Sequence, residues 1–383
     1  MIPLAVPDLT GNEGCYLQEC IDSTFVSSVG PFVGRFETAV AQAAGAPHAV
    51  ATASGTAGLH VALTALGVGR DDLVILPSLT FIASANAIAY CGATPWLLDV
   101  AAESWTLDAD LLERVLQDQT IRQGEHLVHR ESGRRLAAIL PVYTLGLPAH
   151  MERIVAIARA YRLPVVADAA AALGSTAQGR AVADLGADLT VFSFNGNKTV
   201  TAGGGGAVVG TDAELMQLVR HLTTTARQGD NYDHDRIGFN YRLTNIQAAV
   251  GCAQLERLHA FVEAKRRIHA RYAVAFQASP RLQPFPAPAG FASACWLSGT
   301  VVTGLEPAEM ATLLDGLRQE GVGARSFWKP IHLQAPYRQA PRTAQPVSES
   351  LWFRIVTLPC STGLTEHEQD SVIAAVKKRL ADF

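Results

Sequence analysis

The chain has 383 residues, 49% of them hydrophobic and 17% charged, which supplies core material for about two to three domains and excludes a disordered chain. Its net charge of −4 at pH 7 leaves no basic platform for nucleic acid. The six cysteines (Cys15, Cys20, Cys91, Cys252, Cys295 and Cys360) form no CxxC pair and no Cys/His zinc spacing, so they read as reduced thiols and not as a disulfide framework.

The start, MIPLAVPDLTGNEG, has neither the basic segment nor the apolar segment of a signal peptide. No apolar run reaches the roughly 18 residues that span a bilayer. A soluble, cytoplasmic protein is the expectation. The first thirty residues lack a clear period and read as an arm that ends in the turn Val29-Gly30-Pro31. A first helix is expected from Arg35 to Ala44, closed by Gly45.

Short apolar runs then alternate with helical segments. Strands are expected at 49–53, 73–76, 95–99, 137–142, 164–168 and 189–194. Helices are expected at 57–66, 82–90 and 151–161. Such alternation predicts a mostly parallel sheet with helices on both faces. Between Gln117 and Arg135 the pattern gives way to charged residues and glycine, which reads as a surface insertion with a hairpin near Ser132-Gly133. Its arginines are read as a solvated face. A long helical stretch runs from Asn245 to about Gln277 and leads toward a second domain. After the cluster Pro284, Pro286 and Pro288 come expected strands at 295–302 and 354–358 and helices at 307–320 and 366–381. The expected organisation is therefore an arm and large domain over 1–250, then a linking helix and a smaller α+β domain over 251–383.

Four candidate sites each follow an expected strand. Ser54-Gly55-Thr56-Ala57 opens a helix, where free amides and hydroxyls make a cup for a phosphate monoester, unless they are ordinary caps. Phe81 lies at a strand-to-helix junction, placed to stack on a flat ring or to pack in the core. Asp168 ends the run Val165-Val166-Ala167-Asp168, as a functional carboxylate or a helix cap. Lys198 follows Phe192-Ser193-Phe194-Asn195-Gly196-Asn197 and precedes the glycines 203–206. Small neutral neighbours suit a lysine of lowered pKa and Schiff-base chemistry, whereas an isolated loop lysine would be a surface group. Gly196-Asn197-Lys198-Thr199 is not a P-loop, because Asn separates Gly from Lys, the earlier Gly is missing, and more glycines and a strand are expected to follow where a P-loop needs a helix. Asp233-His234-Asp235 has metal-like composition but reads as a solvated loop; no metal is expected. Together, a phosphate cup, an aromatic, a carboxylate and a lysine are what pyridoxal 5′-phosphate (PLP) needs.

The chain resembles the DegT/DnrJ/EryC1/StrS family of PLP-dependent nucleotide-sugar aminotransferases. The likeness rests on FVSSVGPFVGRFE at 25–37, ATASGTAGLHVAL at 51–63, PSLTFIASANAI at 77–88 and VVADAAAALGS at 165–175. It continues through FSFNGNKTVTAGGGG at 192–206, GFNYRLTNIQAAVG at 238–251, FWKPIHLQAPY at 327–337 and LPCSTGL at 358–364. The resemblance implies a fold-type I, aspartate aminotransferase-like α/β architecture: a mixed, mostly parallel sheet in the large domain and a smaller α+β domain. It implies Lys198 as the Schiff-base lysine and proton shuttle, Asp168 as partner of the pyridinium nitrogen, and Phe81 as the ring-stacking aromatic. Gly55, Thr56, Ala57 and Ser193 would hold the phosphate. Asn240 would reach the phosphate of the neighbouring subunit, so a homodimer is implied. Many relatives carry His or Gln where this chain has Ala171, and Asn195 is the candidate replacement for that contact. Trp328 and His332 are candidate sugar or nucleotide contacts, with packing roles as the alternative.

The implied reaction takes an amino group from glutamate to the C4 ketone of a nucleotide-linked 4-keto-6-deoxy sugar, with a UDP-linked, N-acetylated sugar for surface glycans or nonulosonic acids as the first expectation. A same-fold enzyme acting on an aminocyclitol or a 3-keto sugar, or a sugar dehydratase, is the alternative, and a non-catalytic regulator ranks last. Dehydratase relatives replace the lysine by histidine, and Lys198 is retained here.

Overall fold

Valine, leucine and isoleucine run without polar interruption through Leu73–Pro77, and that strand is buried on both sides. Leu73 and Ile75 enter one apolar core, while Val74 and Leu76 enter another. This is the signature of a central parallel strand covered by helices on both faces. The computed structural model describes residues 1–383. Parallel pairing joins Thr94–Leu98 to Leu73–Pro77 and Leu73–Pro77 to Arg135–Ile139. Bridges Ile139–Val165 and Val142–Asp168 then carry the sheet to Val166–Asp168. Leu189–Ser193 follows in parallel, Gly206–Gly210 antiparallel, and His48–Thr52 antiparallel to that. Of these seven strands Gly206–Gly210 alone is reversed, and the result is a mixed sheet with the α/β architecture expected of fold-type I.

Gly206–Gly210 is the strand expected after the glycine run, and its reversed direction is what the sequence did not show. The glycines serve close approach. A Cβ on Gly206 would lie 2.6 Å from the backbone of Ser54 and Gly55, and Gly205 has φ +102°, a conformation that favours glycine.

The charged insertion forms a hairpin, Thr120–Gln123 against His126–His129, which pairs with the start of Arg135–Ile139. Its tip is at Gly124, with Gly133 serving the second turn, both at positive φ. The arm contains a helix, Glu13–Asp22, that its weak periodicity concealed. The long helical stretch is two helices, Asn245–Leu255 and Leu258–Phe276. The break falls at Arg257, whose guanidinium is clamped on Asp8 of the arm at 2.9 and 3.0 Å.

A smaller antiparallel sheet lies at the C-terminal end, ordered Leu282–Gln283, Ser298–Val302, Ile355–Leu358 and Arg325–Ser326. Helices Pro307–Gln319 and Glu366–Leu380 pack with it. The chain's first residues also join this unit: Ile2 bridges Val322, and Cys360 N donates to Leu4 O at 2.8 Å. No helix is long and apolar enough to cross a membrane, and all six cysteines are unpaired.

Candidate active site

Four strands, His48–Thr52, Leu73–Pro77, Val166–Asp168 and Leu189–Ser193, deliver the site at their carboxyl ends, the usual ligand position in open α/β sheets. Each runs into a loop or helix that lines one cavity of about 480 Å3 between the large sheet and the small domain. Gly55, Thr56, Phe81, Asp168, Ala171, Ser193, Asn195, Lys198 and Trp328 all line it. Three other candidates do not. Ala57 is buried behind the cup, its amide already donating to Ser54 Oγ at 3.0 Å. Asn240 is exposed and bridges Thr224. His332 is 5% exposed, with Nδ1 2.7 Å from Ser78 Oγ and Nε2 3.1 Å from Glu349 Oε1. With both ring nitrogens engaged inside the protein, His332 packs the small domain against the strand end at Ser78 and makes no wall of the cavity.

The phosphate cup follows from local chemistry. Ser54 caps the helix Gly55–Ala65 through its side chain. The amides of Gly55 and Thr56 precede the first possible intrahelical bond, so they face outward as anion donors. The Thr56 and Ser193 hydroxyls border the same space.

Asp168 is 6% exposed. Its Oδ2 accepts from Ser84 Oγ at 2.6 Å and its Oδ1 from Ala170 N at 3.1 Å. Burial raises its pKa, and the Ser84 hydrogen bond, the Ala170 amide and the Lys198 charge pull the other way. The carboxylate is therefore held by directed donors in an apolar surround, ready to pair with a cation. Lys198 Nζ makes no hydrogen bond and lies 3.7 Å from the centroid of the Trp296 ring. Burial lowers its pKa to about 8, opposed by the charge of Asp168. An amine so placed is partly neutral, and hence nucleophilic, near physiological pH.

Aromatic rings form one wall. Trp328 stacks on Phe327 with centroids 4.4 Å apart, and lies 5.9 Å from both Phe81 and Trp296. Phe81 is 52% exposed although it is a large apolar ring. An aromatic left uncovered in a concave site offers its face to a ligand. Trp296 is fixed by its Nε1, which donates to Asn197 O at 2.7 Å.

The donor set fits PLP. Beside the cup, carboxylate and amine, the Tyr143 hydroxyl is buried on the cavity wall with no hydrogen-bond partner in the protein. Such an orphan is costly unless something bound satisfies it. Ser84, Tyr143 and Trp296 escaped sequence reading. Ser84 sits inside the helix Ile82–Tyr90, where a serine has no distinguishing pattern, and nothing local marks Tyr143 or Trp296.

Residues 7–377 match the DegT/DnrJ/EryC1/StrS aminotransferase family. The chain belongs to that family. It is 38% identical to the GDP-perosamine synthase of Caulobacter vibrioides over 99% of this chain and 98% of that one. Among solved structures, a DegT/DnrJ/EryC1/StrS aminotransferase from Brucella abortus has 30% identity, covers 96% of this chain and 95% of its own, and gives a TM-score of 0.87. A Streptococcus pneumoniae relative in a PMP form has 26% identity, covers 100% of both chains and gives 0.89. The protein is thus a PLP-dependent aminotransferase.

Proposed function

We propose that this aminotransferase moves an amino group from glutamate to the C4 ketone of a nucleotide-linked 4-keto-6-deoxy sugar. The coarser part of this reading, a PLP-dependent sugar aminotransferase, is what the family and the named relatives share. The single observation that carries it is the meeting of Lys198, Asp168 and the Gly55–Thr56 cup in one cavity walled by Phe81, Trp296 and Trp328.

In this reading Lys198 is the catalytic residue. Gly55, Thr56 and Ser193 hold the phosphate, Phe81 covers the ring, and Asp168 keeps the ring nitrogen protonated. Bound there, PLP supplies an electron sink and a carrier for the amino group. The Lys198 amine takes the proton from the donor's α-carbon and returns one to the acceptor carbon. Its lowered pKa suits both directions near neutral pH. The Tyr143 hydroxyl and the Asn195 side chain supply the polar groups that the methyl of Ala171 cannot. Trp328 offers a flat apolar face to the sugar, whereas the hydrogen bonds of His332 support a packing role.

Asn240 serves a second copy of the chain. Its neighbours Phe239 and Tyr241 pack inward on His60, with ring centroids at 4.7 and 5.8 Å, which leaves the residue between them on the outer side. A homodimer with shared sites follows from this reading. The unpaired cysteines suit a reducing compartment, the cytoplasm.

The Caulobacter relative is named for a GDP-linked sugar; a UDP-linked, N-acetylated sugar is the other acceptor to compare. Purified enzyme would be given glutamate and a panel of GDP- and UDP-linked 4-keto-6-deoxy sugars, and 2-oxoglutarate and amino sugar would be quantified. Equal amounts of both products from one member support the proposal. Turnover of only 3-keto sugars or aminocyclitol precursors would replace it with the alternative.

A further inference from the structure

Lys265 is a buried lysine with no part in the chemistry above. It belongs to the helix Leu258–Phe276, is 3% exposed and does not line the active cavity. Its Nζ donates to Trp296 O at 3.0 Å and to Cys360 O at 2.6 Å, and Cys360 Sγ lies 3.7 Å away. Burying an amine among carbonyls costs free energy that an apolar residue of the same length avoids. The strand register shows what Lys265 does there. Ser298 pairs with Leu358 at the end of the small sheet, and two residues further the same register would set Trp296 opposite Cys360. The strands have parted at that point, and Cys360 N donates to Leu4 O instead. Lys265 closes the open end of the ladder by holding both carbonyls. The chain reaches Trp296 through Cys295, a non-glycine residue at φ +51°, a conformation that persists only where its surroundings hold it. From that fixed backbone the indole crosses to the large domain. There Nε1 donates to Asn197 O at 2.7 Å, and the ring centroid lies 3.7 Å from Lys198 Nζ.

We propose that Lys265 is a positioning residue: by holding the Trp296 carbonyl it keeps the face of the indole on the Lys198 amine. The inference rests on the reading of Lys198 as the reacting amine. The face of an indole attracts a cation, so a ring set there favours the protonated lysine. That works against the burial that lowers the Lys198 pKa to about 8. Lys265 thus acts on the reacting group through Trp296, from outside the cavity and without touching anything bound in it.

The test follows uptake of PLP by the full-length, cofactor-free enzyme across pH, read as the rise of the visible band. The midpoint of that profile reports the Lys198 amine. Lys265→Met keeps the length of the side chain and removes its donors. The midpoint is expected to fall by about half a pH unit, the share of one cation–π contact. Trp296→Leu should give the same fall, and adding Lys265→Met to it should give no more, since both act through one ring. Lys265→Arg, which again donates to both carbonyls, should restore the wild-type midpoint. Lys265→Gln serves where Lys265→Met does not fold, because its shorter amide cannot hold both carbonyls as the amine does. A lysine that only stabilises the fold would lower the melting temperature and leave the midpoint unchanged, and that result overturns the proposal. An upward shift also overturns it, because losing a nearby positive charge eases protonation of Lys198 and marks direct repulsion between two cations. Shifts that add in the double variant overturn it as well. A visible band that survives in Lys198→Ala refutes the Lys198 reading and this proposal together. A band lost in Lys198→Ala, with an unchanged midpoint in Lys265→Met, overturns the role of Lys265 alone.

Discussion

Replacing Ser84 by alanine removes one oxygen and almost no volume. That oxygen donates to Asp168 Oδ2 at 2.6 Å, and both residues are buried. A hydrogen bond to a buried charge contributes about 1.5–3 kcal/mol. At 1.36 kcal/mol per pKa unit, Ser84→Ala should raise the Asp168 pKa by roughly 1–2 units further. The sign follows from burial. Asp168 already has a folded-state pKa above the ordinary carboxylate value, so its ionisation opposes folding as pH rises through the carboxylate range. The variant enlarges that penalty. The cofactor-free variant should therefore be less stable than wild type at pH 7, and the difference should shrink as pH falls toward 4 and the carboxyl takes up a proton. In the PLP-loaded enzyme the same change would weaken the proposed pairing of Asp168 with the ring nitrogen. Cofactor affinity should fall by about 10- to 100-fold, since 1.4 kcal/mol is a factor of ten. Thermal melts at the two pH values and PLP titration by absorbance measure both effects. A variant that melts like wild type at pH 7 and binds PLP equally would refute the claim that Ser84 supports the charge. Thr80 Oγ1, 3.2 Å from Ser84 Oγ, is the one neighbouring hydroxyl able to compensate, and a Thr80→Val/Ser84→Ala double variant would expose it.

Other expectations concern the same cavity. The rate at which cofactor-free enzyme takes up PLP, read as the visible band, should rise about tenfold per pH unit below about 8 and level off above, because the Lys198 amine must be neutral and its pKa is lowered to about 8; Lys198→Ala should show no such band and no turnover. A pH-independent rate between 6 and 9 would contradict that assignment. Ser193→Ala removes one hydroxyl from the cup and should weaken PLP binding by roughly tenfold, about 1 kcal/mol, with the spectrum of the loaded enzyme unchanged; equilibrium dialysis decides it. His332→Ala should lower stability by about 1–3 kcal/mol, since it leaves Ser78 Oγ without its partner, and should leave the KM of both substrates within twofold. A large KM change without loss of stability would return His332 to the substrate.

Much of the site was legible in one dimension because its chemistry sits at strand ends. A strand that closes on Asp168, a strand that runs into Asn195 and Lys198, and a helix opened by Ser54-Gly55-Thr56 are local patterns. Their residues keep their direction once the strand is placed, and Val166–Asp168, Leu189–Ser193 and Gly55–Ala65 occur within two residues of where periodicity put them. The glycine run at 203–206 was recognisable as a place of close approach, although not as the start of a reversed strand.

What only the tertiary structure decided depends on neighbours far apart in the chain. The order of strands brings Ser84 onto Asp168 across 84 residues and places Tyr143 on the wall of the same cavity. Docking of the small domain sets Trp296 against Lys198 and Arg325 into the cavity wall, while the same docking turns His332 toward Ser78 and Glu349. Residues 328 and 332 share one short segment, yet one faces the cavity and the other the packed interface. Sequence patterns report the period of an element and the chemistry at its ends. They do not report which distant surface that element meets, because that choice is made by the fit of whole domains.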